Sequence, residues 1–375
     1  MVSMESVPPS CRLSSLLRWT ELREVSDLHA RAGLPFQVRI QGKLQAIPAA
    51  EWPPPDDVTL QSWFLDAFSP GLNARIVRGG EIDASFHHGE IRYRANFSRQ
   101  RGSQSFSFRR VPPQRQRLAE LQLPESLVEL VAVPRGLLLV TGPTGQGKST
   151  TLRALIQQLN ETRALRIISI EDPIECVFTD SRSHFEQREV GIDTPSFADG
   201  IRNAMRQDPN VIFIGEIRDR ESIWAAMQAA ETGHLVLTTL HADSVAQAIG
   251  RIREFYPQGE QASISALLAR NLNSIIAQRL IPNRQGRRTP CLEILRQDAG
   301  VRQAIHENNL PLLTGIIEAS NHVGMHTFDQ YLQELLAAEI IDVEVARQFA
   351  VSRHRLELAL RGIVTTQPIL SPGTH

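Results

Sequence analysis

The stretch Gly142 to Thr150, GPTGQGKST, constrains the fold of this chain more than any other. It follows the apolar run Leu137, Leu138, Leu139, Val140 and opens into Leu152, Leu155, Ile156 and Leu159 at helical spacing. A buried strand, a glycine-rich turn and a helix start make the phosphate-binding arrangement G-x-x-x-x-G-K-S. Gly142, Gly145 and Gly147, with Pro143, Thr144 and Gln146 between them, let backbone N–H groups turn toward phosphate oxygens, and the helix N-terminus adds its positive dipole end. Lys148 is expected to reach the β- and γ-phosphates, and Ser149, beside Thr150, to hold Mg²⁺ through its hydroxyl. A glycine-rich turn can be purely structural. Lys-Ser in register with both flanks correct predicts a nucleoside triphosphate site instead.

A chain of 375 residues, 42% hydrophobic, is long enough to bury more than one core, so two or three domains are expected. Its 40 basic and 41 acidic residues leave a net charge of -1, which argues against a protein that coats nucleic acid. Cys11, Cys176 and Cys291 are far apart, so neither a disulfide framework nor a zinc site is suggested. A cytoplasmic location fits, because there is no signal-like start and no run near the roughly 18 apolar residues of a membrane helix. Any membrane association is therefore expected only through partners.

Residues 1–12 read as a flexible arm. Leu16, Leu17, Leu22 and Val25 suggest a short amphipathic helix from Leu13, and Phe36 to Ile40 alternates like a strand before a Gln41-Gly42-Lys43 turn. Prolines 53 to 55 require a loop, and a helix is expected over Leu60 to Phe68. Residues 13–112 are thus expected as a small α+β domain, 113–133 as a linker, 134–290 as the nucleotide-binding core, 291–352 as a C-terminal helical part and 353–375 as a tail.

The first domain ends in an arginine-rich stretch. Arg92, Arg94, Arg99, Arg101, Arg109, Arg110, Arg115 and Arg117 occur with no acidic residue among them, and two antiparallel strands are expected with Arg101-Gly102 near their turn. The pattern fits a solvated basic face, a nucleic-acid patch, or fingers reaching a neighbouring subunit's γ-phosphate. Residue pattern alone leaves all three open.

Beyond the phosphate loop, the β-branched run Arg166 to Ile170 predicts a buried parallel strand ending in Glu171, Asp172 and Glu175. Three carboxylates at the edge where phosphates bind are placed to orient water or metal. Val211 to Gly215 predicts another strand, running into Glu216 as the acidic residue that holds Mg²⁺ through water. His234 and His241 bracket a strand over Leu235 to Leu240. His241 falls at its phosphate-side end, whereas His234 begins the strand and is expected to contact a neighbour or the linker.

Together GPTGQGKST, IEDPIE (Ile170 to Glu175), GEIRD (Gly215 to Asp219) and AAETGHLVLTTLHADS (Ala229 to Ser244) resemble the secretion ATPase superfamily, and within it the type IV pilus retraction ATPases. The resemblance runs from SDLHARAG (Ser26 to Gly33) to VGMHTFDQYL (Val323 to Leu332). It implies an α/β fold: a RecA-like P-loop ATPase domain behind an N-terminal PAS-like α+β domain, assembled as a homo-hexamer that hydrolyses ATP with Mg²⁺ at subunit interfaces. It also implies that Glu175 is the catalytic carboxylate, Glu216 the Walker B residue, and His234 and His241 the histidine pair. Arg94, Arg101 and Arg109 best match the arginines that reach across the interface. The implied partners are an inner-membrane pilus platform protein and a related second ATPase.

Two departures bear on this. The four-cysteine zinc module usual in assembly ATPases is missing from the sequence, which favours the retraction branch. The C-terminal helix of retraction motors reads here VRQAIHEN, Val301 to Asn308, with His306 and Asn308 replacing its arginine-bearing end. A secretion or conjugation ATPase, a nucleic-acid translocase and a weakly active regulatory ring member stand as alternatives.

Overall fold

In the computed structural model the chain divides into two compact units, Met1–Pro113 with Pro173–Val177, and Gln114–Asp172 with Phe178–His375. Residues 13–67, 81–111 and 116–360 are described. The expected arm over 1–12 with Cys11, the helix end at Phe68, the Pro112-Pro113 boundary, Arg115 and the tail from 361 onward lie outside them.

In the first unit, helix α1 (Leu13–Leu22) buries Leu13, Leu16 and Leu17. The strands are β1 (Asp27–Arg31), β2 (Gln37–Ile40) and β3 (Lys43–Ala46), then, after helix α2 (Asp57–Ala67), β4 (Ile82–His88), β5 (Ile91–Gln100) and β6 (Ser103–Val111). They form an antiparallel sheet in the order β3-β2-β1-β6-β5-β4. Alternation puts Phe106 and Phe108 of β6 into the core with Phe36, Phe97 and Trp63. Arg101 and Gly102 join β5 to β6 with φ of 52° and 84°, the left-handed pair that a two-residue hairpin turn requires.

Two arginines of the run are paired with carboxylates of their own unit. Arg94 and Arg109 lie directly opposite each other across β5 and β6, an arrangement of like charges that needs compensation. Asp83 pairs with Arg94. Asp27, only 5% exposed, accepts a hydrogen bond from Arg109 Nε at 2.7 Å and has Arg39 at 3.6 Å. Burial pushes the Asp27 pKa up, but hydrogen bonds from Arg109 and Ser26 outweigh it and hold the carboxyl below its ordinary value.

The second unit begins with helix α3 (Leu127–Val131), followed by β7 (Gly136–Thr141), α4 (Lys148–Thr162), β8 (Arg166–Glu171), β9 (His184–Glu189), α5 (Phe197–Ala204), β10 (Val211–Ile214), α6 (Arg220–Glu231), β11 (Leu235–Leu240), α7 (Val245–Glu254) and α8 (Gln261–Asn271). The long strands β12 (Leu272–Pro282) and β13 (Arg288–Arg296) precede helices α9 (Ala299–His306), α10 (Pro311–Ala319), α11 (Phe328–Ala337), α12 (Val343–Phe349) and α13 (Arg353–Leu360). The sheet order is β13-β12-β7-β11-β10-β8-β9. Only the β12–β13 pair is antiparallel. Strands β7, β10 and β11 are buried at every residue, as predominantly apolar central strands of a parallel sheet are.

Three details differ from the sequence reading. The expected linker is partly core, because Leu118, Leu123, Leu127, Leu130 and Val131 are buried. The boundary at 290 cuts through β13, which pairs with β12 residue by residue. Residues 353 to 360, expected as tail, form α13, with Leu356 buried. In each case apolar side chains with a surface to cover decide the local structure. The departure at Val301 to Asn308 has its own physical content: α9 stops there, and Asn308 takes a φ of 58° that asparagine tolerates better than most residues.

His326 couples the fold to pH. It exchanges backbone hydrogen bonds with Ile294, stacks on Tyr331 at 4.7 Å, and its buried Nε2 has no hydrogen-bond partner among the described residues. Burial pushes its pKa down to about 4. The unfolded chain takes up this proton below about pH 6.5 while the folded one does not, so stability is full above that pH and is lost as pH falls toward about 4. Chemical denaturation at pH 7.5 and 5.5 should show wild type losing about 1 kcal/mol more than His326→Phe, in which nothing titrates.

Candidate nucleotide-binding site

The sheet order explains how the site assembles. Parallel strands β12, β7, β11, β10 and β8 all run toward one edge, and strand order sets which residues at or just beyond that edge become neighbours. In that order the edge carries Gln278, the loop of Gly142 to Thr150, His241, Glu216 with Arg218, and Asp172. Because β11 lies between β7 and β10, His241 stands between the lysine of the loop and the glutamate.

The loop itself is shaped by its glycines and by Gln278. Gly142 has φ 152°, and a Cβ there would fall 2.4 Å from the Gln278 carbonyl oxygen. Gly147 takes φ 80° and begins α4 as its cap. A Cβ there would lie 2.9 Å from Gln278 Nε2. Gln278, buried on β12, donates from Nε2 to the Gln146 carbonyl at 2.7 Å and accepts from Thr151 Oγ1 at 2.7 Å. Gln146 Oε1 accepts from the Leu280 backbone N–H at 2.6 Å. One amide therefore ties the loop, the first turn of α4 and β12 together. The sequence reading missed Gln278; a polar residue in the apolar run of β12 was the available signal.

Lys148 is 6% exposed, and its Nζ donates to the carbonyls of Gly142 at 2.8 Å and Pro143 at 3.0 Å. Burial lowers its pKa and the charge of Glu216 opposes that shift. Nζ lies 3.4 Å from His241 Nδ1, and His241 Nε2 lies 3.2 Å from Glu216 Oε2. An ammonium can only donate, so Nδ1 accepts, Nε2 carries the hydrogen, and the imidazole donates it to the carboxylate. Arg218 pairs with the other oxygen of Glu216 and lies 3.6 Å from Asp172. Charge thus alternates from Lys148 through Glu216 and Arg218 to Asp172, with the imidazole as the neutral relay.

Ser149 and Thr150 are half-buried in the first turn of α4. Ser149 makes no side-chain hydrogen bond among the described residues. Among those residues no group of three or more His, Cys, Asp or Glu could hold a metal. A hydroxyl and a single carboxylate suit Mg²⁺, which keeps waters and takes substrate oxygens rather than a full protein cage.

Other predicted residues fall elsewhere. Glu171 is 2% exposed and accepts hydrogen bonds from Ser169 Oγ at 2.8 Å and Gln187 Nε2 at 3.0 Å, so this carboxylate is structural. Glu175 is exposed on the segment Pro173–Val177, which groups with the N-terminal unit, between buried Ile174 and Cys176. His234 immediately precedes β11, at the sheet edge opposite the phosphate loop, with its Nδ1 2.9 Å from the Ala229 carbonyl. The structure does not bring it to Lys148. Of the three arginines, Arg94 and Arg109 pair with carboxylates of their own unit, whereas Arg101 at the hairpin tip is exposed and has no side-chain hydrogen bond or ion pair among the described residues.

Removing the amide of Gln278 with Gln278→Leu leaves Thr151 and the Gln146 carbonyl without their partner, a cost of about 1–3 kcal/mol. Binding of a ribose-labelled fluorescent ATP should weaken by about tenfold. Unchanged binding in a folded variant would mean that the loop holds its shape without the clamp.

The described residues contain no helix long and apolar enough to cross a membrane. The family profile described as Type II/IV secretion system protein matches residues 36–333, well over half of the chain. The type IV pilus retraction ATPase PilT of Pseudomonas aeruginosa is 38% identical over 340 residues, which are 90% of this chain and 98% of that one. A twitching motility protein of Neisseria gonorrhoeae is 36% identical over 339 residues, 90% of each chain. A crystal structure of the pilus retraction motor PilT with bound ADP superposes with a TM-score of 0.81 at 37% identity, covering 92% of this chain and 99% of that one. The chain therefore belongs to the type II/IV secretion ATPase family, and its RecA-like α/β fold and phosphate loop are those of an ATPase.

Proposed function

We propose that this chain is the subunit of a homo-hexameric motor that retracts type IV pili, drawing pilin from the fibre base through an inner-membrane platform protein while itself remaining on the cytoplasmic side. The observation that carries the reading is the likeness to the retraction ATPase of Pseudomonas aeruginosa over 90% of this chain and 98% of that one. A likeness of that extent takes in the N-terminal unit as well as the nucleotide fold. Bound Mg²⁺ would neutralise charge on the β- and γ-phosphate oxygens, held by Ser149 and, through water, by Glu216. Lys148 binds the same oxygens after leaving the Gly142 and Pro143 carbonyls. His241, joined to both Lys148 and Glu216, reads whether the γ-phosphate is present, and Glu175 orients the attacking water.

The N-terminal unit of the adjoining subunit supplies positive charge, typically worth about 10³ to 10⁵ in rate for such an arginine. Arg101 is the best candidate, since Arg94 and Arg109 are already engaged within their own unit.

Glu216→Gln should bind ATP within about threefold of wild type and lose hydrolysis by about a hundredfold or more. Expressed in a Pseudomonas aeruginosa strain lacking its retraction ATPase, the wild-type chain should restore twitching, and Lys148→Ala should not. No restoration by a soluble, ATP-hydrolysing chain would overturn the pilus reading and leave the ATPase intact. Mixing Arg101→Ala with Glu175→Gln protein should recover part of the activity that each lacks alone, because some interfaces then hold both intact groups. If mass measurements show mixed rings and no activity returns, Arg101 does not act between subunits.

A further inference from the structure

His241 owes its place to its backbone. Its side chain is 49% exposed, so packing alone does not fix the imidazole between Lys148 and Glu216. The segment that follows it is tethered at four backbone groups instead. Thr141 Oγ1 of β7 donates to the Ala242 carbonyl at 2.8 Å, and a guanidinium N–H of Arg279 on β12 donates to the Asp243 carbonyl at 3.3 Å. The Val245 N–H, at the start of α7, donates to Glu293 Oε2 of β13 at 2.9 Å, and the Asp243 N–H donates to Gln247 Oε1 at 3.0 Å. Register explains how three strands reach one segment. Thr141, Ala277 and Glu293 stand in a row across β7, β12 and β13, and Arg279, two residues beyond Ala277, shares their face. Gln278 points to the other face, so β12 holds the phosphate loop with one side chain and the segment after His241 with the next.

We propose that Glu293 and Arg279 are positioning residues for the hydrolysis step, holding His241 to Val245 so that the imidazole stays between Lys148 and Glu216; this rests on the role given to His241 above. Glu293 is the one carboxylate of β13 and is 7% exposed. Burial pushes its pKa up, opposed first by the Val245 hydrogen bond and then by the charge of Arg279, while Asp329 adds to the rise. The N-terminal turn of α7 is therefore the main support of this buried carboxylate, as helix dipoles favour. Arg279 is aimed by Phe328, which is 2% exposed and lies with its ring 4.2 Å from the guanidinium carbon. Cys291, directly across from Arg279 in the β12–β13 pair, contacts the Phe328 carbonyl through Sγ at 3.8 Å. Neither Glu293 nor Arg279 has a hydrogen bond or ion pair to Lys148 or Glu216 among the described residues, so what they do to the site passes through the segment they hold.

The test reads turnover apart from binding in the full-length chain, with Mg·ATP as substrate and a ribose-labelled fluorescent ATP as the binding probe. Glu293→Leu should lower kcat by about tenfold or more while nucleotide affinity stays within about threefold of wild type, since a small misplacement near the chemistry costs rate. Glu293→Gln, whose amide oxygen still accepts from the Val245 N–H, should keep kcat within about threefold of wild type. In a His241→Ala background, itself slowed, Glu293→Leu should cost less than about twofold more, because a residue acting through His241 then has nothing left to position. If Glu293→Leu does not fold, Arg279→Met, which keeps a chain over Phe328 and releases the Asp243 carbonyl, is read in its place against the same backgrounds. A further tenfold loss without His241, an unchanged kcat in the single variant, a loss confined to nucleotide affinity, or a loss in Glu293→Gln as large as in Glu293→Leu would each overturn the positioning role alone. His241→Ala turning over at the wild-type rate would overturn the role of His241 and the positioning with it.

Discussion

Parallel pairing of β12, β7, β11, β10 and β8 is the constraint on which the site depends. A parallel strand can only return to the same edge through a crossover, so every loop that leaves a C-terminal end is delivered to one side of the sheet. Glycine-rich turn, histidine and acidic residue, separated by up to about a hundred positions in sequence, thereby become neighbours within hydrogen-bond reach. His234 obeys the same rule in the opposite sense. It precedes its strand rather than following it, and the length of β11 keeps it from the phosphates.

Electrostatics at that edge depends on burial as much as on charge. Lys148 is desolvated and held on backbone carbonyls, a position that weakens its hold on its proton and leaves its ammonium ready to exchange carbonyl partners for phosphate oxygens. Glu216 is shared between Arg218 and His241, so each of its carboxylate oxygens has a partner at the edge of a largely apolar sheet. The N-terminal unit solves a comparable problem differently: buried Asp27 and the more exposed Asp83 each take an arginine, so that Arg109 and Arg94 can stand opposite each other on adjacent strands. That arrangement leaves Arg101, raised on a left-handed turn, as the one of the three not engaged inside its own unit among the described residues.

Much of this was legible before the structure. Hydrophobic runs gave β7, β8, β10 and β11, and the Arg101-Gly102 turn was visible between two alternating segments. Lys148 was legible because its chemistry is local: a cation one residue after a glycine at the start of a helix can hardly miss a bound phosphate. Glu171 was misread within its cluster, since a carboxylate at a strand end faces either the cleft or the core, and only the positions of Ser169 and Gln187 show that it turns inward. The C-terminal boundaries were drawn by motif rather than by burial, and so cut β13 and overlooked α13.

The sequence by itself determined the local elements and the phosphate loop, because periodicity, glycine placement and the Lys-Ser pair act over a few residues. Tertiary structure decided the strand order, and with it that β11 separates β7 from β10, so that His241 bridges Lys148 and Glu216. It also decided that Gln278, 130 positions from Lys148, clamps the loop. The physical reason is that strand order is set by how whole faces of helices and sheet bury one another, a property of the assembled core to which no short window of sequence gives access.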